Sequence, residues 1–306
     1  MKRLERNETH SEWLRLGLIG WPVSHSHSPE IHQAAMREFN IRGEYKLYPV
    51  PPMPEGEAAL DQLISEMREG GLHGLNVTIP HKQAVDNILD ELTNEAREIG
   101  AVNTIVSRQG SLIGENTDAS GFLADLERVF PWELTRDFER KLGNHPHALV
   151  LGAGGAARAV VYGLFSSGWS VTVAARRIEQ AECLISSFHE REGCGSLDTV
   201  HLSAPELSNI KIGVALVVNA TPLGMSPDMD SSPWPEKLPL PPAAAVYDLV
   251  YNPTETRLMC AAREAGLPTA NGMGMLVEQA ALAFECWTGL SPSRNMLLEQ
   301  VVKSEV

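Results

Sequence analysis

The sequence predicts a two-domain α/β protein in which both domains are built on mainly parallel sheets, and three observations predict it. The chain is 306 residues long, beyond the usual size of one domain and enough for two separately cored ones. Its first third alternates short apolar strands with helical periodicity in the order βαβαβα, which implies parallel pairing. Near residue 148 the alternation restarts with a strand, a glycine-rich turn and a helix, the opening of a second α/β unit.

The elements follow in order. Leu16-Gly17-Leu18-Ile19-Gly20 reads as a short buried strand, and Ser28-Pro29-Glu30 as a helix start, with serine a candidate N-cap and proline at the first helical position. Residues 44–48 form a second strand, 58–69 carry helical periodicity, and 74–78 form a third strand. Pro80 cannot donate to a sheet ladder and suits the first turn of a helix, so residues 80–85 are expected to leave the sheet as one. Residues 101–106 and 111–114, joined by Arg108-Gln109-Gly110, read as a hairpin added to the same sheet. A helix is expected over 121–129, then a polar, proline-bounded surface connection over 131–147. The second unit opens with the buried strand Ala148-Leu149-Val150-Leu151, a helix to about residue 167, a strand over 170–174 and the helix beginning at Ile178. Residues 214–218 and 245–247 add strands, with a proline-rich loop over 226–242 between them. After Gly272, the residues Leu276, Val277, Ala280, Ala281, Ala283, Phe284 and Trp287 share one helical face, and a last helix follows Pro292.

Composition narrows the function classes. With 25 basic and 39 acidic side chains the formal charge is −14, which argues against extended contact with a phosphate backbone, so no nucleic-acid partner is expected. Cys183, Cys194, Cys260 and Cys286 lie far apart without Cys-x-x-Cys or Cys/His ligand spacing, the pattern of a reduced chain without structural zinc. The start, Met1-Lys2-Arg3-Leu4-Glu5-Arg6-Asn7-Glu8, is charged and lacks an apolar signal core, and no run approaches membrane-spanning length. A cytoplasmic protein with no membrane partner is the expectation. Neither a Gly-x-Ser-x-Gly elbow nor a His-Glu-x-x-His or P-loop motif occurs, which lowers hydrolase and kinase readings.

Five motifs carry chemistry. Gly152-Ala153-Gly154-Gly155-Ala156-Ala157-Arg158 stands between a strand and a helix, where the glycines permit a tight turn and bring backbone N–H groups close to a pyrophosphate at the helix N-terminus. The next strand ends in Ala174-Ala175-Arg176-Arg177, with two guanidinium groups where an NAD site places a carboxylate for the ribose hydroxyl; this favours the 2′-phosphate of NADP. On the loop after the first strand, Ser24, Ser26 and Ser28 interleave with His25 and His27, and hydroxyls beside a helix N-terminus suit a carboxylate, although Ser28 also suits a simple cap. No carboxylate cluster stands beside the two histidines, so no metal is expected. Lys82 closes Asn76-Val77-Thr78-Ile79-Pro80-His81-Lys82 in the crevice outside a strand's carboxyl end, where open α/β sheets bind ligands. Asp118, ending Asn116-Thr117-Asp118, is either an ordinary helix cap or the acid/base partner of Lys82.

In these phrases, together with Gly20-Trp21-Pro22-Val23, Ala101-Val102-Asn103-Thr104, Asn219-Ala220-Thr221-Pro222-Leu223-Gly224-Met225, Tyr247-Asp248-Leu249-Val250-Tyr251-Asn252-Pro253 and Gly272-Met273-Gly274-Met275-Leu276-Val277-Glu278-Gln279-Ala280, the chain resembles the shikimate/quinate dehydrogenase family over nearly its whole length. The resemblance implies reversible NADPH-dependent reduction of 3-dehydroshikimate to shikimate, with Lys82 and Asp118 as the catalytic pair. It assigns the ring carboxylate to Ser26, Ser28 and Tyr251, and the ring hydroxyls to Asn76, Thr78, Asn103 and Gln279. It assigns the cofactor to Gly152, Ala153, Gly154, Gly155, Ala156, Ala157, Arg176, Arg177, Thr221, Leu249, Gly272 and Met275. It further implies that the C-terminal helices return to the first domain, so residues 1–118 with 272–306 form the substrate domain and 119–271 a Rossmann-type NADP-binding domain. A monomer or homodimer acting on small molecules is implied. The alternatives are a relative that also oxidises quinate with NAD or NADP, and a non-catalytic NADP-binding regulator on the same fold.

Overall fold

Strand β1 (Leu14–Gly20) lies inside the first sheet because its last five residues, apolar or glycine, are all buried. The structure, a computed structural model, describes residues 13–130, 145–188, 195–210 and 213–304. These fall into two compact units, the first drawn from Met1–Leu92, Val102–Glu115 and Ala280–Val306 and the second from Thr93–Ala101 and Asn116–Gln279.

In the first unit β1 pairs in parallel with β2 (Gly43–Pro49) and β3 (Gly74–Val77), with α1 (Ser28–Glu38) and α2 (Glu57–Arg68) as crossovers. On its other side β3 pairs antiparallel with β5 (Thr104–Arg108), which turns through Gln109 and Gly110 into β6 (Ser111–Glu115). The two-residue β4 (Glu91–Leu92) closes that edge, giving the order β2-β1-β3-β5-β6-β4. Residues 80–85 do not form the expected helix. The Lys82 carbonyl accepts from Val102 N–H at 2.7 Å and His81 N–H bonds Thr78 O at 2.9 Å, so the chain is held in turns and only a 3₁₀ helix, Val85–Ile88, follows. A tertiary bond has replaced the helical one.

The short helix α3 (Asn94–Ile99) was absent from the expectations; Thr93 caps it by accepting from Ala96 N–H at 3.3 Å. Asp118 opens α4 (Asp118–Val129) as its first residue, and the first-turn N–H groups of Asp118 and Ala119 are met by Asn116 Oδ1 at 3.0 and 3.4 Å. These first-turn groups are therefore met by Asn116's amide oxygen, from just outside the helix. Likewise Ser28 is the first residue inside α1, with His27 at the cap position and no side-chain cap bond.

The second unit runs β7 (His147–Leu151), α5 (Gly155–Ser166), β8 (Ser170–Ala175), α6 (Ile178–Ser186), β9 (Leu197–His201), α7 (Ala204–Ile210), β10 (Val214–Asn219), β11 (Ala245–Asp248), α8 (Arg257–Glu264) and β12 (Thr269–Asn271). All pairings are parallel, in the order β12-β11-β10-β7-β8-β9. Counted from β7 this is the doubly wound order 3-2-1-4-5-6, whose crevice lies where the direction of winding reverses, between β7 and β10. Central strand β7 is buried on both faces: Ala148 and Val150 pack with Val160 and Leu164 of α5, while Leu149 and Leu151 pack with Leu207, Leu258 and Ala262. That explains a continuous apolar run where a half-buried strand would alternate.

Two C-terminal helices follow, α9 (Met273–Thr288) and α10 (Arg294–Ser304). Trp287 of α9 donates from Nε1 to Ile105 O at 3.0 Å, and Ser293 N–H bonds Glu38 Oε2 at 3.0 Å, beside α1. The connection expected over 131–147 falls largely on residues 131–144, outside the described ones. Among the described residues no helix is long and apolar enough to cross a membrane, and no group of three His, Cys, Asp or Glu side chains could hold a metal.

Candidate active site

In the first unit the strand ends gather several of the residues singled out by sequence. Ser26 and Ser28 are joined, Ser26 Oγ donating to Ser28 Oγ at 3.0 Å and accepting from Ser28 N–H at 3.2 Å. Asn76, at the end of β3, donates from Nδ2 to Asn103 O at 3.2 Å and Thr104 Oγ1 at 3.1 Å, so β3 and β5 are tied at one level. Thr104 Oγ1 in turn bonds Asn103 Oδ1 at 3.0 Å. Thr78 stays in line with β1 through its N–H to Ile19 O at 2.9 Å, and the backbone of Lys82 is pinned one residue from Asn103 by the Val102 bond. Lys82 and Thr78 are half-buried; Ser28, Asn76 and Asn103 are buried.

Tyr45 of β2 is the residue that sequence reading missed here. Its hydroxyl donates to Asn76 Oδ1 at 2.8 Å and also meets the Ser28 hydroxyl, while its ring stacks on His32, centroids 4.4 Å apart. Burial lowers the His32 pKa to about 3, so this ring packs as a neutral, flat surface against the tyrosine. The consequence for Asn76 is a count of capacity. Both amide hydrogens and one lone pair are committed to these partners and the His32 ring also meets the Asn76 side chain, so at most one Oδ1 direction remains for a ligand hydroxyl.

Asp118, Tyr251 and Gln279 belong to the second unit. Asp118 is buried, Tyr251 half-buried on the loop after β11, and Gln279 half-buried on α9 with Nε2 donating to Leu276 O at 2.8 Å.

The nucleotide-type loop also lies in the second unit. Gly152 leaves β7 at φ +112°, a region open to glycine, and a Cβ there would stand 3.0 Å from Thr221 Cγ2. Gly154 has open space where its side chain would be, and α5 begins at Gly155 with no side-chain cap bond and no acidic residue in its first turn. Those uncapped N–H groups, facing an open cradle, suit a pyrophosphate. Arg176 and Arg177 are exposed at the end of β8, and α6 opens immediately after them. Across the crevice, Thr221 is oriented by Asn219, whose Oδ1 accepts from Thr221 N–H at 2.9 Å and from its hydroxyl at 2.7 Å. Asn219 is oriented in turn by Nδ2 donation to Asp248 Oδ1 at 2.8 Å. Asp248 is wholly buried and also accepts from Thr256 Oγ1 at 2.6 Å and Val250 N–H at 3.0 Å; burial pushes its carboxyl up to about 6, against the pull of these donors. Both phrases were visible in the sequence, but their pairing was not. Gly272 sits against the backbone of Leu249, placing these two sequence-assigned residues side by side.

A doubly wound parallel sheet with an uncapped glycine cradle at its switch point defines a dinucleotide-binding α/β protein. Comparison narrows the class. The model of the shikimate dehydrogenase substrate binding domain matches residues 18–105, and that of the shikimate 5'-dehydrogenase C-terminal domain matches residues 272–295. The chain is 43% identical to the shikimate dehydrogenase (NADP(+)) of Symbiobacterium thermophilum, over 90% of this chain and 88% of that one. Among solved structures it is similar to shikimate 5-dehydrogenase from Thermus thermophilus in complex with NADP(H) and shikimate, with TM-score 0.77, 36% identity and coverage of 95% and 99% of the two chains. It is similar also to quinate dehydrogenase from Corynebacterium glutamicum in complex with NAD, with TM-score 0.81, 31% identity and coverage of 95% and 99%. The chain belongs to the shikimate dehydrogenase family.

Proposed function

We propose that this chain is an NADP-dependent shikimate dehydrogenase, reducing 3-dehydroshikimate reversibly to shikimate. The reading is supported by two features of one chain: the hydroxyl and amide side chains gathered at the strand ends of the first unit, and the glycine loop with arginines at the end of the next strand in the second. Residues 1–118 with 272–306 form the substrate domain and 119–271 the nucleotide domain, with Tyr251 of the latter assigned to the acid and Gly272 and Met275 of the former to the nucleotide. Residues 152–157 receive the pyrophosphate, Arg176 and Arg177 the 2′-phosphate, and Thr221, Leu249, Gly272 and Met275 complete the nucleotide site. Bound NADPH supplies the hydride.

The protein's own groups do the rest. Ser26, Ser28 and Tyr251 hold the ring carboxylate through hydroxyls, which donate without a full counter-charge and so bind without over-stabilising the ground state. Asn76 accepts from a ring hydroxyl with its remaining lone pair, and Thr78, Asn103 and Gln279 meet the others. Lys82 delivers the proton, or its electrostatic equivalent, to the carbonyl oxygen as charge develops there, and Asp118 is its partner.

The quinate reading rests on the similarity to the quinate dehydrogenase complex. Ser28 and the two arginines weigh against it. One assay separates the readings: rates with shikimate and with quinate, each with NADP and NAD. Efficient shikimate oxidation with NADP supports the proposal, comparable quinate oxidation with NAD replaces it, and no turnover with any combination leaves a non-catalytic nucleotide binder.

A further inference from the structure

One face of α4 seats the start of α9. Thr117, Gly121 and Asp125 recur every fourth residue, so they form a single stripe along that face. Thr117 donates from Oγ1 to Gln279 O at 3.0 Å. A Cβ on Gly121 would lie 2.8 Å from Gln279 N and 2.9 Å from Gln279 Cβ, so glycine is what lets the two backbones approach. At the third step a Cβ on Gly274 would run into the Asp125 carboxylate. Asp125 is itself immobilised. It is fully buried, Tyr247 donates to Oδ2 at 2.5 Å, and Arg128 donates to Oδ1 from Nε at 2.8 Å and Nη2 at 2.6 Å. The Tyr247 hydroxyl also meets Met275 N–H, so Asp125 reaches the first turn of α9 by two routes.

We infer that this stripe is a positioning device for the reaction, with Gly121 and Asp125 setting where Gln279 and Met275 stand relative to Asp118. The inference rests on the reading above, in which Gln279 touches the acid and Met275 the nucleotide. Asp118 is the first residue of the same α4 that carries the stripe. The seam therefore places Asp118 and Gln279 in one rigid frame, although neither needs to touch the other. It also has a direction: Gly121 backs on Gln279, whereas Asp125 backs on Gly274 and Met275.

The direction makes the inference testable. Gly121→Ala should lower kcat/KM for shikimate by roughly tenfold or more, since a displacement of about 1 Å in a reacting geometry costs up to about a hundredfold, and should leave the NADP Kd within about twofold. Gly274→Ala should weaken NADP as well, because the new methyl runs into the Asp125 carboxylate, and Asp125→Ala, which removes the bonds to Tyr247 and Arg128, should weaken NADP by several-fold in its own right. Circular dichroism checks that each variant folds. If the glycine variants fail to fold, Thr117→Val, which removes the bond to Gln279 O, should still raise the shikimate KM by several-fold with NADP binding intact. A folded Gly121→Ala with normal kcat/KM, or a folded Asp125→Ala with an unchanged NADP Kd, overturns the inference. Gln279→Ala separates the two levels. If it leaves shikimate kinetics unchanged, the assignment of Gln279 fails; if it impairs them while Gly121→Ala and Thr117→Val do not, the seam alone fails.

Discussion

Replacing Arg176 and Arg177 by alanine should convert a strong preference for NADP over NAD into a weak one. Both side chains are exposed at the carboxyl end of β8, and no carboxylate stands at that strand end to hold a ribose hydroxyl. A charge-assisted hydrogen bond contributes about 1.5–3 kcal/mol, but exposure lets solvent screen it, so about 1–2 kcal/mol for each arginine is the appropriate range here. The pair then contributes about 2–4 kcal/mol, or roughly 30- to 1000-fold in relative affinity. The assay is the ratio of kcat/KM for NADP to that for NAD, with shikimate saturating, in the wild type, both single variants and the double. NADP should lose nearly the whole amount and NAD little. Because the groups are exposed, the wild-type preference should also shrink as salt is raised, and the double variant should show far less of that dependence. Equal losses for the two cofactors, or a preference unaffected by salt, would refute the assignment of the 2′-phosphate to these arginines.

Lys82→Ala should reduce kcat by about 10²–10⁴ while leaving the NADP Kd nearly unchanged; a folded variant with near-normal turnover would return this lysine to an ordinary surface role. Tyr45→Phe removes the hydroxyl that meets both Asn76 and Ser28, so the shikimate KM should rise by about 3- to 10-fold, in line with a neutral hydrogen bond worth about 1 kcal/mol, and an unchanged KM would show that both side chains are held without it. Asp248 is raised from 3.8 to about 6, so its contribution to stability is fully present below about pH 4 and is lost as pH rises through about 6. Asp248→Asn, whose amide can donate to a reoriented Thr256 hydroxyl, should therefore flatten the Tm profile between pH 4 and 7. A wild-type and variant pair with parallel profiles would be the contrary result.

The larger elements of the fold were legible because they carry strong local signals. The apolar run of β7, the glycine turn and the periodic face of α9 each need only a few neighbouring residues to be read. What escaped was short or non-local. Elements β4 and β12 have 2 and 3 residues and α3 has 6, too few for periodicity to rise above composition, and β9 has no buried residue to give it an apolar run. The helix expected over 80–85 failed because Val102, twenty residues along the chain, takes the carbonyl of Lys82. The residues proposed to touch ligands stand in recognisable phrases, but the groups that aim them do not. Tyr45 and Asn76 are 31 residues apart, Asn219 and Asp248 29, and Asp125 and Tyr247 122.

Those three pairs share a physical logic. In each, a buried acceptor or donor commits one bonding direction of a residue at a strand or helix end, and on the function proposed above a direction left over would meet the ligand. Tyr45 takes one lone pair of Asn76 and leaves at most the other. Asp248 takes an amide hydrogen of Asn219, whose oxygen then holds Thr221 by both N–H and hydroxyl. The Asp125–Tyr247 pair takes Met275 N–H and so fixes the turn from which the Met275 side chain projects. Fixing dipoles before the ligand arrives removes reorganisation from the catalytic step, and it is effective where water is excluded, as at buried Asn76 and Asp248. It follows that substituting the inner member of each pair should change kcat/KM without removing any ligand contact, and that the change should appear for the acid at Tyr45 and for the nucleotide at Asp248. A reversal of that assignment, with Tyr45→Phe affecting only NADP, would mean that the braces serve the fold and not the site.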